Sequence, residues 1–216
     1  MLVAGVLAMY TLYWSPGCGS FAPHAALIEV EAQFELIEID LVSNQHHTPQ
    51  FLALNPRAQV PVLKLADGTV MTESVAMMMQ IADCHPKFAL MPKLAGSERA
   101  VAYRWLVFSA VNLYEAGCRV SDPQHYTRNV SGYDGVRRKA LDDLNDYWAM
   151  LDGAIGEGPL FFGKNCSAID ICLFMIAQWH PDRDGLLERL PKLACLCNAM
   201  RERPAIDKIW QLNFPD

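Results

Sequence analysis

The spacing of apolar positions changes character about a third of the way along the chain. Tyr10-Thr11-Leu12-Tyr13-Trp14 is aromatic and β-prone, and predicts a first strand. Ser15-Pro16-Gly17-Cys18-Gly19-Ser20 is a loop by composition. Phe21 to Ala32 then carries apolar residues at helical spacing, with Pro23 tolerable in the first turn. Phe34 to Leu41 interleaves Glu35, Glu38 and Asp40 with apolar residues and predicts a second strand, although Leu36-Ile37 shifts the phase. Val62 to Leu65, the turn Ala66-Asp67-Gly68 and Thr69-Val70-Met71 give a hairpin signal, followed by a helix over Ser74 to Cys84. The predicted order is β-α-β followed by β-β-α.

After a short segment bracketed by Pro86 and Pro92 the strand signals stop. Helical spacing covers Ser97 to Cys118, Tyr133 to Ile155, Ser167 to Trp179, Pro191 to Arg203 and Ala205 to Leu212. We therefore expect an α/β domain over residues 9–84, a linker over 85–95 and an all-α domain over 96–216. Met1 to Ala8 is apolar but lacks a basic start and a cleavage pattern, and is expected to be an extension outside the fold. Ser167-Ala168-Ile169-Asp170 has capping-box spacing, with Asp in place of the usual Glu or Gln, and predicts a structural helix start.

Composition narrows the classes. With 216 residues the chain can bury a full core, and a 52% hydrophobic content argues against disorder. A net charge of −6 without a basic run disfavours nucleic acid or an anionic membrane as partner. No stretch approaches a membrane span. Seven cysteines, an odd number without a disulfide-framework spacing, suggest reduced thiols and a cytoplasmic location. Cys195 and Cys197 point apart on a helix, so we expect no metal site there.

The candidate chemistry lies in two segments. In Arg57-Ala58-Gln59-Val60-Pro61-Val62-Leu63 a proline opens a strand-like run, where it cannot donate to the ladder and where its bond to Val60 can be cis. Thr72-Glu73-Ser74 precedes a helix whose free N–H groups favour an anion, while the Glu73 carboxylate can hold an ammonium. Together they fit a small peptide or amino acid with a free α-carboxylate and α-amine.

Asn55-Pro56-Arg57-Ala58-Gln59-Val60-Pro61-Val62-Leu63, Thr72-Glu73-Ser74-Val75-Ala76-Met77 and Ser167-Ala168-Ile169-Asp170, in that order and spacing, resemble the cytosolic glutathione transferases over residues 9–212. The opening Leu12 to Gly17 with Ala22-Pro23-His24 most resembles the bacterial beta class. The resemblance implies a thioredoxin-like domain, a helical domain and a glutathione site between them. Val60, before a cis Pro61, would pair with the cysteinyl backbone, and Glu73 and Ser74 would hold the γ-glutamyl end. Gln59, or His46 and His47, would reach the glycyl end.

At the sulfur the chain departs from that class. The position of the beta-class cysteine is Gly19, and that of its helical-domain histidine is Tyr114. Ser20 is then the expected donor to the glutathione thiolate, and Cys18 an alternative redox nucleophile. Tyr114 would donate into the substrate pocket or pack in the core, and Tyr103, Trp105, Phe108 and Tyr126 would line it or pack likewise. The implied activity is conjugation of glutathione, as co-substrate and without a metal, to small apolar electrophiles. A homodimer through the helices Ser74 to Cys84 and Ser97 to Cys118 is also implied. A glutathione-dependent isomerase, a Cys18 thiol reductase and a non-catalytic binding protein remain alternative readings.

Overall fold

The structure, a computed structural model, describes residues 9–214. The expected extension over residues 1–8 lies outside them. The described residues pack as two units, one made of 9–91 together with 202–214, the other of Pro92–Arg201.

In the first unit, β1 (Tyr10–Trp14) buries Tyr10, Leu12 and Trp14 on alternate positions, as a strand with one covered face requires. A crossover through α1 (Phe21–Glu29) returns the chain as β2 (Phe34–Glu38), parallel to β1 with Leu12 opposite Leu36. Helix α1 stops where Glu31 enters a left-handed conformation (φ 52°) and the Ala32 N–H bonds back to the Leu27 carbonyl at 2.9 Å. Strand β2 is shorter than expected. The Asp40 carboxylate accepts from the N–H groups of Val42 and Ser43 at 2.9 and 3.1 Å, and that turn draws the chain out of the sheet.

A four-residue helix, α2 (Pro49–Leu52), capped by the Thr48 hydroxyl, leads to β3 (Val62–Lys64) and β4 (Val70–Met71). Strand β3 runs antiparallel to both β1 and β4, giving the sheet order β2-β1-β3-β4. The hairpin turn is the expected one. Gly68 takes φ 88°, and the Leu65 N–H reaches the Thr69 carbonyl at 2.8 Å. Helix α3 (Ser74–Cys84) packs with α1 and buries Met77, Met78 and Ile81. A separate cluster of Ile39, Phe51 and Val62 takes in Tyr13, Ile37 and Val60. The partly buried Val60 side chain packs against this cluster, two residues before β3 begins.

The second unit is helical: α4 (Ser97–Phe108), a π-helical turn over Ser109–Tyr114, α5 (Glu115–Ser121), α6 (Tyr133–Ala154), α7 (Ala168–Ala177), α8 (Arg183–Arg189) and α9 (Pro191–Arg201). All ten residues of α7 are buried, as a helix that is apolar on every side requires. Asp170 is its one charged residue. Its carboxylate accepts from the Phe161 N–H (2.7 Å), the Ser167 N–H (2.8 Å) and the Ser167 hydroxyl (2.6 Å), so the expected helix-start motif is formed.

The last helix, α10 (Pro204–Asn213), packs with α1 rather than with the other helices of the second half. The sequence places all of 96–216 in one domain; in the structure residues from 202 onward return to the first unit. Arg203 forms a two-pronged ion pair with Glu29 (both contacts 2.6 Å), and Phe214 meets Phe21 at 5.7 Å between ring centres.

Candidate functional site

The Asn55–Pro61 segment is held from within. The buried Asn55 side chain donates to the Gln59 carbonyl at 2.8 Å and accepts from the Arg57 N–H at 3.1 Å. Ala58 adopts φ 54° in the turn that results. The Val60–Pro61 bond is cis. Among the described residues, neither the N–H nor the C=O of Val60 forms a hydrogen bond within the protein. Pro61 is buried, Val60 half-buried and Gln59 exposed. Backbone polar groups left open beside a fixed loop can pair with an extended peptide.

Glu73 and Ser74 stand at the start of α3. Glu73 has φ 66° and ψ 102°, a sparsely populated conformation for a residue with a side chain. Such an outlier costs on the order of 1–3 kcal/mol and tends to occur where a ligand is gripped. The sequence carries no signal for it, since nothing marks Glu73 as different from any other helix-start acid. The Glu73 carboxylate lies 3.5 Å from the Arg57 guanidinium, with both side chains about two-thirds exposed (67% and 68%). A pair so open to water is weak and easily exchanged for another cation. It also ties the Asn55–Pro61 segment to the start of α3, so the two expected binding segments meet through Arg57, whose part in this link the sequence does not signal.

The loop expected to face the sulfur is tightly built. The Ser20 hydroxyl donates to the Ser15 carbonyl at 2.9 Å and accepts from the Ser15 N–H at 3.3 Å. Ser20 is fully buried. Its single proton is committed to Ser15, so donation to a thiolate would require that bond to break. Cys18 is half-buried, and burial pushes its thiol pKa up, away from the thiolate that a redox nucleophile needs. Gly17 has φ 66° and packs near the Asn213 carbonyl of α10.

In the second unit Tyr114 ends the π-helical turn, half-buried, with its ring edge-on to Trp179 at 5.2 Å. Trp105 is buried against Phe108 and Phe161, and Phe108 meets Tyr147 edge-on, so these aromatics pack within the helical unit. Tyr126 is 40% exposed. His46 and His47 sit in a short 3-10 turn, 4.2 Å apart between ring centres. Among the described residues no group of three or more His, Cys, Asp or Glu is arranged to hold a metal ion.

A four-stranded mixed sheet with a cis proline before β3, followed by a helical unit, defines the glutathione transferase fold. Residues 8–83 match the family described as glutathione S-transferase, N-terminal domain. The chain is 29% identical over 199 residues to the glutathione S-transferase GstA of Escherichia coli O157:H7, covering 90% of this chain and 94% of that protein. It is 23% identical to the maleylacetoacetate isomerase of Pseudomonas aeruginosa, over 97% of this chain and 98% of the other. Two solved structures are similar as well. A beta-class glutathione S-transferase of Sphingomonas chungbukensis gives a TM-score of 0.77 at 29% identity, over 92% of this chain and 96% of that one. A sphingomonad glutathione S-transferase complexed with glutathione gives a TM-score of 0.77 at 28% identity, with the same coverage. Residues 8–83 thus match the N-terminal domain of the glutathione S-transferases, the chain as a whole has the glutathione transferase fold, and bacterial beta-class proteins are among its structural neighbours.

Proposed function

We propose that the protein binds glutathione at Val60, Glu73 and Ser74 and conjugates its thiolate to small apolar electrophiles. The observation that carries this reading is the open backbone of Val60 beside the cis Pro61, linked through Arg57 to the strained Glu73 corner. In this reading the Val60 N–H and C=O pair with the cysteinyl backbone. The Ser74 hydroxyl and the first N–H groups of α3 take the γ-glutamyl carboxylate. The Glu73 carboxylate leaves Arg57 for the ligand ammonium. Gln59, exposed beside Val60, is the partner for the glycyl end.

A free thiol near neutral pH is mostly protonated, with an ordinary pKa of about 8.5. Conjugation therefore needs donors at the sulfur. The N–H groups of the loop before α1 supply them, with Ser20 either holding that loop in shape or turning to the sulfur itself. Tyr114 is the proposed pocket donor in the helical unit. The protein then works by proximity and by a stabilised thiolate. We further propose a cytoplasmic homodimer through α3 and α4. Among the described residues no helix is long and apolar enough to cross a membrane.

The similarity to a maleylacetoacetate isomerase favours a second reading, a glutathione-dependent isomerisation on the same grip. Two measurements test the proposals: retention on immobilised glutathione, and consumption of glutathione thiol with an activated aryl halide. Folded protein that is not retained overturns both readings. Retention, with turnover of a cis-dienoic acid and no thiol consumption, selects the isomerase.

A further inference from the structure

Helix α10 lies along α1 and reaches the loop that precedes it. At one end Arg203, just ahead of α10, holds Glu29, the last residue of α1, through two contacts of 2.6 Å. Ile206, Ile209 and Asn213 then follow on α10 at helical spacing, all of them buried. At the other end Phe214 packs its ring 5.7 Å from that of Phe21, the fully buried first residue of α1, with Trp210 behind it at 4.8 Å. The Asn213 carbonyl meets the bend of the loop. A β-carbon added at Gly17 would stand 3.5 Å from that oxygen, and Gly17 takes φ 66°, where a side chain is strained. The loop is therefore held from two sides. The Ser20 hydroxyl spans it from within, and the end of α10 backs it at Gly17 and Phe21.

We propose that the end of α10 is a positioning element for the conjugation, with Phe214 as its anchor. Seated on Phe21, Phe214 keeps the Asn213 carbonyl against Gly17, and so keeps the N–H groups of the loop aimed at the glutathione sulfur. The inference rests on the function proposed above, in which those N–H groups stabilise the thiolate. Donors of that kind act only where they are aimed beforehand, and a small displacement forfeits much of their effect. Phe214 acts only through the loop.

The ion pair at the far end supplies a control. Glu29 closes α1 at the end away from the loop, and its side chain is 10% exposed. Breaking its pair with Arg203 weakens the docking of α10 without touching the bend at Gly17. Loss of stability and loss of positioning can therefore be told apart.

The test follows the pKa of the bound glutathione thiol by thiolate absorbance, beside glutathione affinity, turnover of an activated aryl halide and thermal unfolding. In the wild type that pKa should lie below the ordinary value of about 8.5. At a pH below it, Phe214→Ala should cut the thiolate fraction about threefold and turnover about twofold, since a more basic thiolate is also the better nucleophile. Glutathione affinity should change by less than about twofold, because the peptide grip at Val60, Glu73 and Ser74 is untouched. Phe214→Leu, which keeps apolar bulk on Phe21, should restore most of the turnover. Arg203→Met should lower the melting temperature at least as far as Phe214→Ala, yet leave the thiol pKa in place. If Phe214→Ala does not fold, Trp210→Leu, which removes the ring behind Phe214, carries the same test. A thiol pKa unmoved in the folded variant, or moved equally by Arg203→Met, overturns the inference while the glutathione reading stands. A wild type that binds no glutathione, or binds it with the thiol pKa unlowered, overturns that reading and this inference with it.

Discussion

The Ser20 hydroxyl and the Ser15 backbone hold each other at both ends, the hydroxyl donating to the Ser15 carbonyl at 2.9 Å and accepting from its N–H at 3.3 Å. This closes the six-residue loop, Ser15 to Ser20, that leads into α1. Ser20→Ala would leave a buried carbonyl and N–H without partners, at a cost on the order of 1–3 kcal/mol. We expect the melting temperature to fall by several degrees, and the pKa of bound glutathione, followed by thiolate absorbance, to rise with it. A rise in that pKa with unchanged stability would instead identify Ser20 as a direct donor to the sulfur.

Glu73 couples strain to the proposed grip. Its φ of 66° and ψ of 102° suit glycine better than glutamate. In Glu73→Gly the strain is relieved, partly offset by the roughly 0.5–1 kcal/mol of extra entropy that a glycine loses on folding. The Arg57 pair lost with it is exposed and contributes little. The variant should therefore be as stable as the parent or slightly more so, while glutathione affinity drops about tenfold or more. Calorimetric titration beside thermal unfolding measures both. Loss of stability together with unchanged affinity would remove Glu73 from the site.

Much of the fold is legible in the sequence because local signals coincide with tertiary ones. Helix α3 spans Ser74–Cys84 as its apolar spacing predicts, and the Asp67-Gly68 turn lies between β3 and β4. The misses share a cause. Amphipathic spacing names the buried face of α10 but not its partner, which is α1. Helix α8 is a short segment whose start is fixed by Asp182 accepting from the Gly185 N–H, a signal too small to stand out. The segments that bear Val60, Pro61, Glu73 and Ser74 were visible because proline and a helix-start acid are rare punctuation. The direction of the Ser20 proton and the backbone angle of Glu73 depend on neighbours that residue type does not encode.

Asp170 is a fully buried carboxyl group in the helical unit. Burial pushes its carboxyl pKa up, while hydrogen bonds from Ser167 and Phe161 work against that shift. Asp170→Ala would orphan the Phe161 and Ser167 N–H groups in the interior, at a cost on the order of 3–4 kcal/mol. Asp170→Asn keeps one acceptor oxygen and should cost less. Urea unfolding should rank the three chains as wild type, Asn, Ala. An Ala variant as stable as wild type would show that the helix start does not need its carboxylate.

His24 makes the stability of the first unit depend on pH. It is buried on α1 between the rings of Trp14 (6.0 Å) and Phe34 (5.5 Å). Burial, and then the nearby Lys208, lower its pKa from the ordinary 6.5 to about 4. Between those values the unfolded chain binds a proton at His24 that the folded chain refuses, so stability falls as the pH drops through this window and levels off below it. Down to pH 4.5 the loss amounts to roughly 2–3 kcal/mol. His24→Gln cannot take up the proton. Denaturant unfolding at pH 7 and pH 4.5 should therefore show the wild type losing more stability than the variant by about that amount, with all other groups cancelling in the comparison. Parallel losses in the two chains would mean that His24 is already charged in the folded protein.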